Sequence, residues 1–428
     1  MTTDTIFDPT AVKEPLSVAA LGIDPSMVRD LALKSMFYGG RFTRSELAAE
    51  LCVSVPVVEE VLGALNRDGL VSVLAAESAS PNAYIYTLTS KGYQRAEEAL
   101  SRNRYVGPVP VPLADYVARM REQTVSGVEM RAEDLARALS TLVLSEDTAR
   151  RIGWAVASRK PLLLYGESGN GKTTLARTIG SVVGGTIAIP YAIEIVGQII
   201  RIFDQSKHER AEAAPAREGE PDMFRSRTDR RWVEVRRPLI WAGGELTRQS
   251  LELAYDADTR MYEAPLQLKA NGGILIIDDL GRQQISAVQL LNRWIVALES
   301  GSDHLTLHTG QTLEIPFDAL IMFSTNLPPQ DLADEAFLRR IRYKVNIDSP
   351  GEEEYREIFR RECVARGLAY DEGVVRHLFE RWYGDGREMR GCHPRDLIDA
   401  VFDAAAHARR EPRLTVASID EACRSYFL

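Results

Sequence analysis

Cysteine is scarce. Cys52, Cys363, Cys392 and Cys423 stand far apart in 428 residues, and no Cys-x-x-Cys occurs. That excludes a disulfide scaffold and a zinc knuckle, and points to a reducing compartment. Long apolar runs are missing too: stretches such as 274–277 fall far short of the ~20 residues a membrane span needs. Positive charge is not in excess, because 52 Lys and Arg face 61 Asp and Glu, a net charge of −9. The chain as a whole therefore offers no electrostatic footprint for nucleic acid. The first residues, MTTDTIFDPTAVKEP, are acidic and polar and do not read as a signal peptide. With 45% hydrophobic and 26% charged residues the balance is that of a folded chain, and its length suggests roughly two to four domains. The expectation is a cytoplasmic protein with no membrane partner.

Residues 1–25 carry three prolines and no period, and read as a flexible tail. Residues 26–104 give the order helix, helix, helix, hairpin, helix. The first helix stops at Gly39-Gly40, Thr43-Arg-Ser-Glu46 is a capping box opening the second, and Ser54 caps the third. Two strands follow at 70–74 and 84–88, then a last helix from Thr89. Residues 105–125 contain Val106-Gly-Pro-Val-Pro-Val-Pro112, a proline-rich linker. From 126 to 348 strands alternate with helices, which implies a parallel sheet with crossover helices; 349–428 is helical throughout.

Pro161-Leu-Leu-Leu-Tyr165 is a buried-strand run followed at once by Gly166-Glu167-Ser168-Gly169-Asn170-Gly171-Lys172-Thr173, with Thr174 continuing into a helix. This is G-x-x-x-x-G-K-[ST] in its strand–loop–helix setting. Glycines let backbone N–H groups converge on phosphates at a helix N-terminus. Lys172 is expected to reach the β and γ phosphates and the Thr173 hydroxyl to bind Mg²⁺. Gly272-Gly-Ile-Leu-Ile-Ile-Asp278-Asp279 is a second apolar strand ending in two carboxylates. Asp278 is placed to hold Mg²⁺ through water, and Asp279 to orient or deprotonate the attacking water.

These two motifs, Ser324-Thr-Asn326 after a third apolar strand and the helical C-terminal unit together resemble AAA+ ATPases. The resemblance implies an α/β fold: a P-loop parallel sheet with a helical lid, binding and hydrolysing ATP with Mg²⁺. It gives Asn326 the role of sensor 1. Ala336-Phe-Leu-Arg339-Arg340-Ile341 resembles the segment bearing an arginine finger, with Arg340 first choice and Arg339 next. Such a finger implies a homo-oligomer, ring or filament. Cys392-His-Pro-Arg395-Asp-Leu397 resembles sensor 2, with Arg395 facing the γ phosphate. The family usually has Asp-Glu where Asp278-Asp279 stands, and the shorter carboxylate implies slow or assembly-dependent hydrolysis. The alternating segment 304–315 around Thr309-Gly310 reads as a β-hairpin, similar to the pre-sensor-1 hairpin of MoxR-like ATPases, magnesium chelatases and enhancer-binding activators. Residues 196–270 exceed what a minimal core needs, and the string from Ala254 to Gly273 looks like a bacterial MoxR-like group.

The order of elements in 26–104 resembles a winged helix-turn-helix. Its third helix opens Val55-Pro-Val-Val-Glu59-Glu60, and nine Lys and Arg balance nine Asp and Glu across the unit. Those residues favour protein contact, whereas the resemblance favours DNA. Arg225, Arg227, Arg230, Arg231, Arg236 and Arg237 around Trp232 read either as a nucleic-acid or acidic-partner patch, or as a solvated or intersubunit face. Three functions follow: a MoxR-like remodeller of a protein client, a DNA-directed ATPase or transcription or mobile-element regulator, and a nucleotide-controlled scaffold.

Overall fold

A computed structural model describes residues 12–74, 84–124, 132–211, 228–332 and 335–427. Arg225 and Arg227 lie outside the described residues. No helix among the described residues is long and apolar enough to cross a membrane.

The N-terminal unit contains α1 (Pro25–Gly39), β1 (Arg41–Phe42), α2 (Arg44–Glu50), α3 (Val55–Arg67), β2 (Val71–Leu74), β3 (Ile85–Leu88) and α4 (Ser90–Arg102). The Thr43–Glu46 capping box forms in full. Ser54 precedes α3 but does not cap it; its hydroxyl donates to Pro15 O at 2.6 Å instead. The strands pair antiparallel in the order β1-β3-β2. Val57, Val58, Val61, Leu62 and Leu65 of α3 fill the core beside α1, at the spacing of one helical face.

Two expectations about the chain's joints are corrected. The tail read at 1–25 is anchored from residue 12 onward: Val18, Leu21 and Ile23 are buried, and Val18 N–H donates to Glu60 at 2.9 Å. The linker read at 105–125 is built into the structure. Tyr105, Val109 and Val111 are buried, β4 (Val111–Pro112) pairs with a strand of the main body, and α5 (Leu113–Glu122) follows. The physical reason is that the spacer's apolar side chains alternate with its prolines and bury more favourably than they hydrate.

Next come α6 (Ala132–Leu139), α7 (Glu146–Ser158), β5 (Leu162–Tyr165), α8 (Lys172–Val182), β6 (Thr186–Pro190), β7 (Ala192–Ile195) and β8 (Gln198–Arg201). After them lie β9 (Trp232–Arg236), β10 (Leu239–Ala242), β11 (Ala254–Asp256), β12 (Met261–Glu263), α9 (Leu266–Lys269), β13 (Ile274–Ile277) and α10 (Ala287–Ser300). The body closes with β14 (Ser302–Thr306), β15 (Thr312–Pro316), β16 (Leu320–Thr325), α11 (Pro329–Leu332), α12 (Glu335–Leu338) and β17 (Tyr343–Asn346). The fold is α/β: a five-stranded, wholly parallel sheet in the order β10-β13-β16-β5-β17, covered by helices. Every residue of β13 and β16 is buried, which explains why β13 and the first four residues of β16 read as unbroken apolar runs.

The surplus between β7 and β13 builds a second, mixed sheet, β11-β12-β8-β7-β4. The hairpin expected at 304–315 forms as β14 and β15. Its Leu305, Leu307, Leu313 and Ile315 pack into one core with Ile193, Ile200 and Tyr262 of the second sheet. The N-terminal core likewise takes in Ala192 and Ile199 from that sheet. Helices α13 (Glu352–Ala365), α14 (Glu372–Leu378), α15 (His393–His407) and α16 (Val416–Tyr426) make the C-terminal unit, with a π-helical turn over Phe379–Tyr383.

The basic cluster is structural where it is described. Arg231 is 3% exposed and Asp229 1%; the guanidinium forks onto the carboxylate at 2.8–3.1 Å. Its Nη1 also donates to Leu21 O at 3.1 Å and Pro110 O at 3.3 Å, tying the N-terminal arm and the proline segment to the body. Arg230 bonds Val53 O and pairs with Glu14, Arg236 pairs with Glu209 at 3.3 Å, and Arg237 donates to Gln123 O and Gly272 O. Breaking a buried pair on one side leaves an uncompensated charge. Asp229→Ala should therefore destabilise the chain by about 3–5 kcal/mol in urea denaturation; a loss below about 1 kcal/mol would show that water reaches Arg231.

Candidate functional site

Strands of a parallel sheet all end on one edge, and loops there converge. At that edge, Gly166–Gly171 leaves β5 and enters α8. Gly166 has φ +132°, and a Cβ there would lie 2.4 Å from Ile347 O, so only glycine admits the close pass of the segment after β17. Gly169, at φ +90°, faces the C-terminal unit: a Cβ there would sit 2.6 Å from Cys392 Sγ. Lys172 opens α8 and is 6% exposed; its ammonium donates to Gly166 O and Glu167 O, both at 2.8 Å. Burial lowers its pKa, opposed by Asp279, Asp278 and Glu167. The loop thus holds a cation beneath a helix N-terminus, where anions are favoured.

Thr173 and Asp278 are 105 residues apart in sequence, yet the Thr173 hydroxyl donates to Asp278 Oδ2 at 3.1 Å. Asp279 comes next, with φ +52°. Two contacts fix that turn: Leu280 N–H donates to Ser324 O at 2.7 Å, and Thr325 Oγ1 to Leu280 O at 2.8 Å. Asn326, just past β16, donates from Nδ2 to Asp279 Oδ1 at 3.3 Å. Lys172, Thr173, Asp278, Asp279 and Asn326, drawn from three separate motifs, therefore lie at one end of the sheet. A cleft of about 500 Å³ runs beside them, bordered by Gly166, Glu167, Asn326, Asn346, Asp348 and Glu388. Two hard oxygen donors, the Thr173 hydroxyl and the Asp278 carboxylate, sit close enough to serve one small divalent cation alongside phosphate oxygens.

The three expected arginines each pair with a carboxylate outside that group. Arg340 Nε pairs with Glu299 Oε1 of α10 at 2.6 Å. Arg339 is largely exposed and pairs with Glu335 one helical turn back, at 2.8 Å. Arg395, on the first turn of α15, pairs with its neighbour Asp396 at 2.8 Å, and Asp396 also accepts from Tyr426 OH at 2.8 Å.

Sequence reasoning missed the residues through which the C-terminal unit meets the glycine loop. Gly391 N–H donates to Asn170 Oδ1 at 3.2 Å, and Asn170 Nδ2 donates to Ser349 Oγ at 3.2 Å. Arg390 lies between Glu167 and Glu388. The one signal available was position: Ser349 follows β17 at the same strand-end edge as the motifs. Nothing in the sequence singles out Glu388 or Arg390.

A family model described as a domain of unknown function (DUF8689) matches residues 351–425, the unit α13–α16. Comparison with curated proteins found no match. Similar solved structures include the Thermotoga maritima RuvB Holliday junction branch migration motor, 15% identical over 66% of this chain and 69% of that one, with a TM-score of 0.38. NtrX from Brucella abortus in complex with ATP is 12% identical over 79% of this chain and 65% of that one, with a TM-score of 0.39.

His393, on the first turn of α15, is hydrogen-bonded through Nδ1 to Tyr383 OH at 2.7 Å. Burial above all, aided by Arg390, pushes its pKa down to about 4 from an ordinary 6.5. The folded imidazole stays neutral where the unfolded one takes up a proton, so the unfolded chain binds more protons within that window. Stability should fall as pH drops from about 6.5 to about 4. His393→Asn should remove that component from Tm measured against pH; an unchanged slope would assign it to another group.

Proposed function

We propose that this chain is a cytoplasmic ATPase of the AAA+ kind that binds and hydrolyses ATP with Mg²⁺, and couples the cycle to homo-oligomer assembly and remodelling of a protein client, as in MoxR-like chaperones. The observation carrying this reading is the convergence of Lys172, Thr173, Asp278, Asp279 and Asn326 at the C-terminal edge of a parallel sheet. In this reading Gly166–Thr174 cradles the phosphates, and Lys172 exchanges its loop carbonyls for phosphate oxygens. Thr173 and Asp278 hold magnesium, which when bound neutralises charge on the β and γ phosphates. Asp279 accepts the proton of the attacking water as the bond between the γ phosphorus and the bridging oxygen breaks, and Asn326 steers that carboxylate.

Arg395 is the lid arginine of this scheme, and Arg340 or Arg339 the one offered to a neighbouring subunit. Each would have to leave a carboxylate of its own chain to do so, Arg339 that of Glu335 and Arg340 that of Glu299. The N-terminal unit, read as a winged helix, serves as an adaptor for protein. Supporting this, the start of α3 is already engaged: Val53 O accepts from Arg230, Ser54 donates to Pro15 O, and Glu59 pairs with Arg44 at 2.6 Å. A helix so occupied, with two carboxylates on its first turns, is poorly disposed toward phosphates.

Asp279→Asn should bind ATP and fail to turn it over, because Asp278 remains while the proton acceptor is gone; Lys172→Ala should lose binding or turnover with its fold intact. Phosphate release at the wild-type rate in either variant would overturn the site.

The trans-acting arginine is tested by mixing. Arg339→Ala and Arg340→Ala should each bind ATP, and the one that removes the finger should lose about 10³–10⁵ in rate. Adding Lys172→Ala subunits should restore part of that activity, because a mixed interface joins an intact pocket to an intact finger. Activity strictly proportional to concentration down to a demonstrated monomer would refute it.

A further inference from the structure

Five side chains form a ring between the glycine loop and the C-terminal unit. Asn170 Nδ2 donates to Ser349 Oγ at 3.2 Å, and Ser349 Oγ donates to Glu388 Oε1 at 2.6 Å. Glu388 Oε2 lies 3.8 Å from Arg390 Nη2, which lies 3.9 Å from Glu167 Oε2, back on the loop. Gly391 N–H closes the contact by donating to Asn170 Oδ1 at 3.2 Å. The ring is uneven. Its Asn170–Ser349–Glu388 arm is a directed chain ending on a carboxylate, the kind of hydrogen bond that ionisation strengthens. Its Arg390 arm is two long ion pairs among side chains 39–60% exposed, which contribute little. Arg395, by contrast, is held at 2.8 Å by an aspartate that Tyr426 fixes in turn. Arg390 is near the loop at the base of its side chain as well as at its tip: its Cβ is 3.8 Å from where a Cβ on Gly169 would stand.

We propose that Asn170, Ser349 and Glu388 fasten the lid to the phosphate loop, and that Arg390 is the movable member, drawn from Glu388 and Glu167 to the phosphates of a bound nucleoside triphosphate. Glu388 is then a positioning residue that competes with the ligand, and Arg390 a binding residue that separates triphosphate from diphosphate by charge. This rests on the nucleotide-site reading above. A guanidinium has the fork for phosphate oxygens, and a triphosphate brings more negative charge than either single carboxylate.

The test is the affinity of the full chain for ATP and for ADP, measured by calorimetry for the wild type, Arg390→Gln and Glu388→Gln, with Tm as the check on folding. Arg390→Gln should weaken ATP roughly ten- to a hundredfold, the range of a charge-assisted hydrogen bond, and ADP much less. Glu388→Gln should change ATP affinity in the opposite direction, tightening it roughly two- to fivefold, since a weak competitor is removed. A purely structural ring would weaken both nucleotides in both variants, and that result overturns the proposal. Wild-type ATP affinity in Arg390→Gln overturns it as well, leaving the nucleotide site standing. Failure of the wild-type chain to bind either nucleotide overturns the site and the proposal together.

Discussion

The site depends on the register of one buried strand. β13 pairs with β16 so that Ile277 lies opposite Phe323, and β16 pairs with β5 so that Thr325 lies opposite Tyr165. Two residues beyond Ile277, Asp279 therefore arrives level with the end of β16 and the start of the glycine loop. A slip of one residue would turn Ile274–Ile277 over and carry Asp278 out of reach of Thr173 and Asp279 away from Asn326. A slip that drew Asp278 into the buried place of Ile277 would put a carboxylate in the apolar interior, and that cost opposes it. The backbone contacts of Leu280 with Ser324 and Thr325 then set the final angle.

The N-terminal unit is not appended to this body but shares a core with it. Its apolar residues continue into Ala192 and Ile199 of the second sheet, and the Asp229–Arg231 pair joins Leu21 and Pro110 to the start of β9, which pairs with β6. The hairpin β14–β15 rests on the same sheet, where His308 stacks on Tyr255 with ring centres 4.0 Å apart. The second sheet thus touches the N-terminal unit on one side and the hairpin on the other. The hairpin in turn runs on in sequence from β15 into β16, the strand that precedes Asn326.

What the sequence made legible was local. The glycine loop, the acidic strand end, the Thr43 capping box and the hairpin are each written in a few consecutive residues, and each forms where its residues stand. Long-range choices were not legible. Arg231 is indistinguishable in sequence from Arg236, yet one is buried on Asp229 and the other pairs at the surface with Glu209. The proline-rich segment has the composition of a spacer, and only the groove it meets makes it part of a sheet. Arg390 became visible only once the lid was seen against Gly169 and Glu167.

The aspartate at 279, where the resembling family carries glutamate, has a local cause. Its backbone is left-handed, φ +52°, because Leu280 must turn back to bond Ser324 O. Asp and Asn enter that region several-fold more readily than most side chains, since a short polar group can bond its own backbone. The Asp279 N–H is held by the neighbouring Asp278 Oδ1 at 3.1 Å, and Asn326 meets the Asp279 carboxylate at 3.3 Å. The methylene that glutamate would add extends reach, but at this turn it would come with a side chain less suited to the backbone. The shorter acid therefore fits the turn, and its position is set together with that of the loop after β16, whose Asn326 meets it. Loop and carboxylate are fixed by the same two contacts, so a change in one moves both.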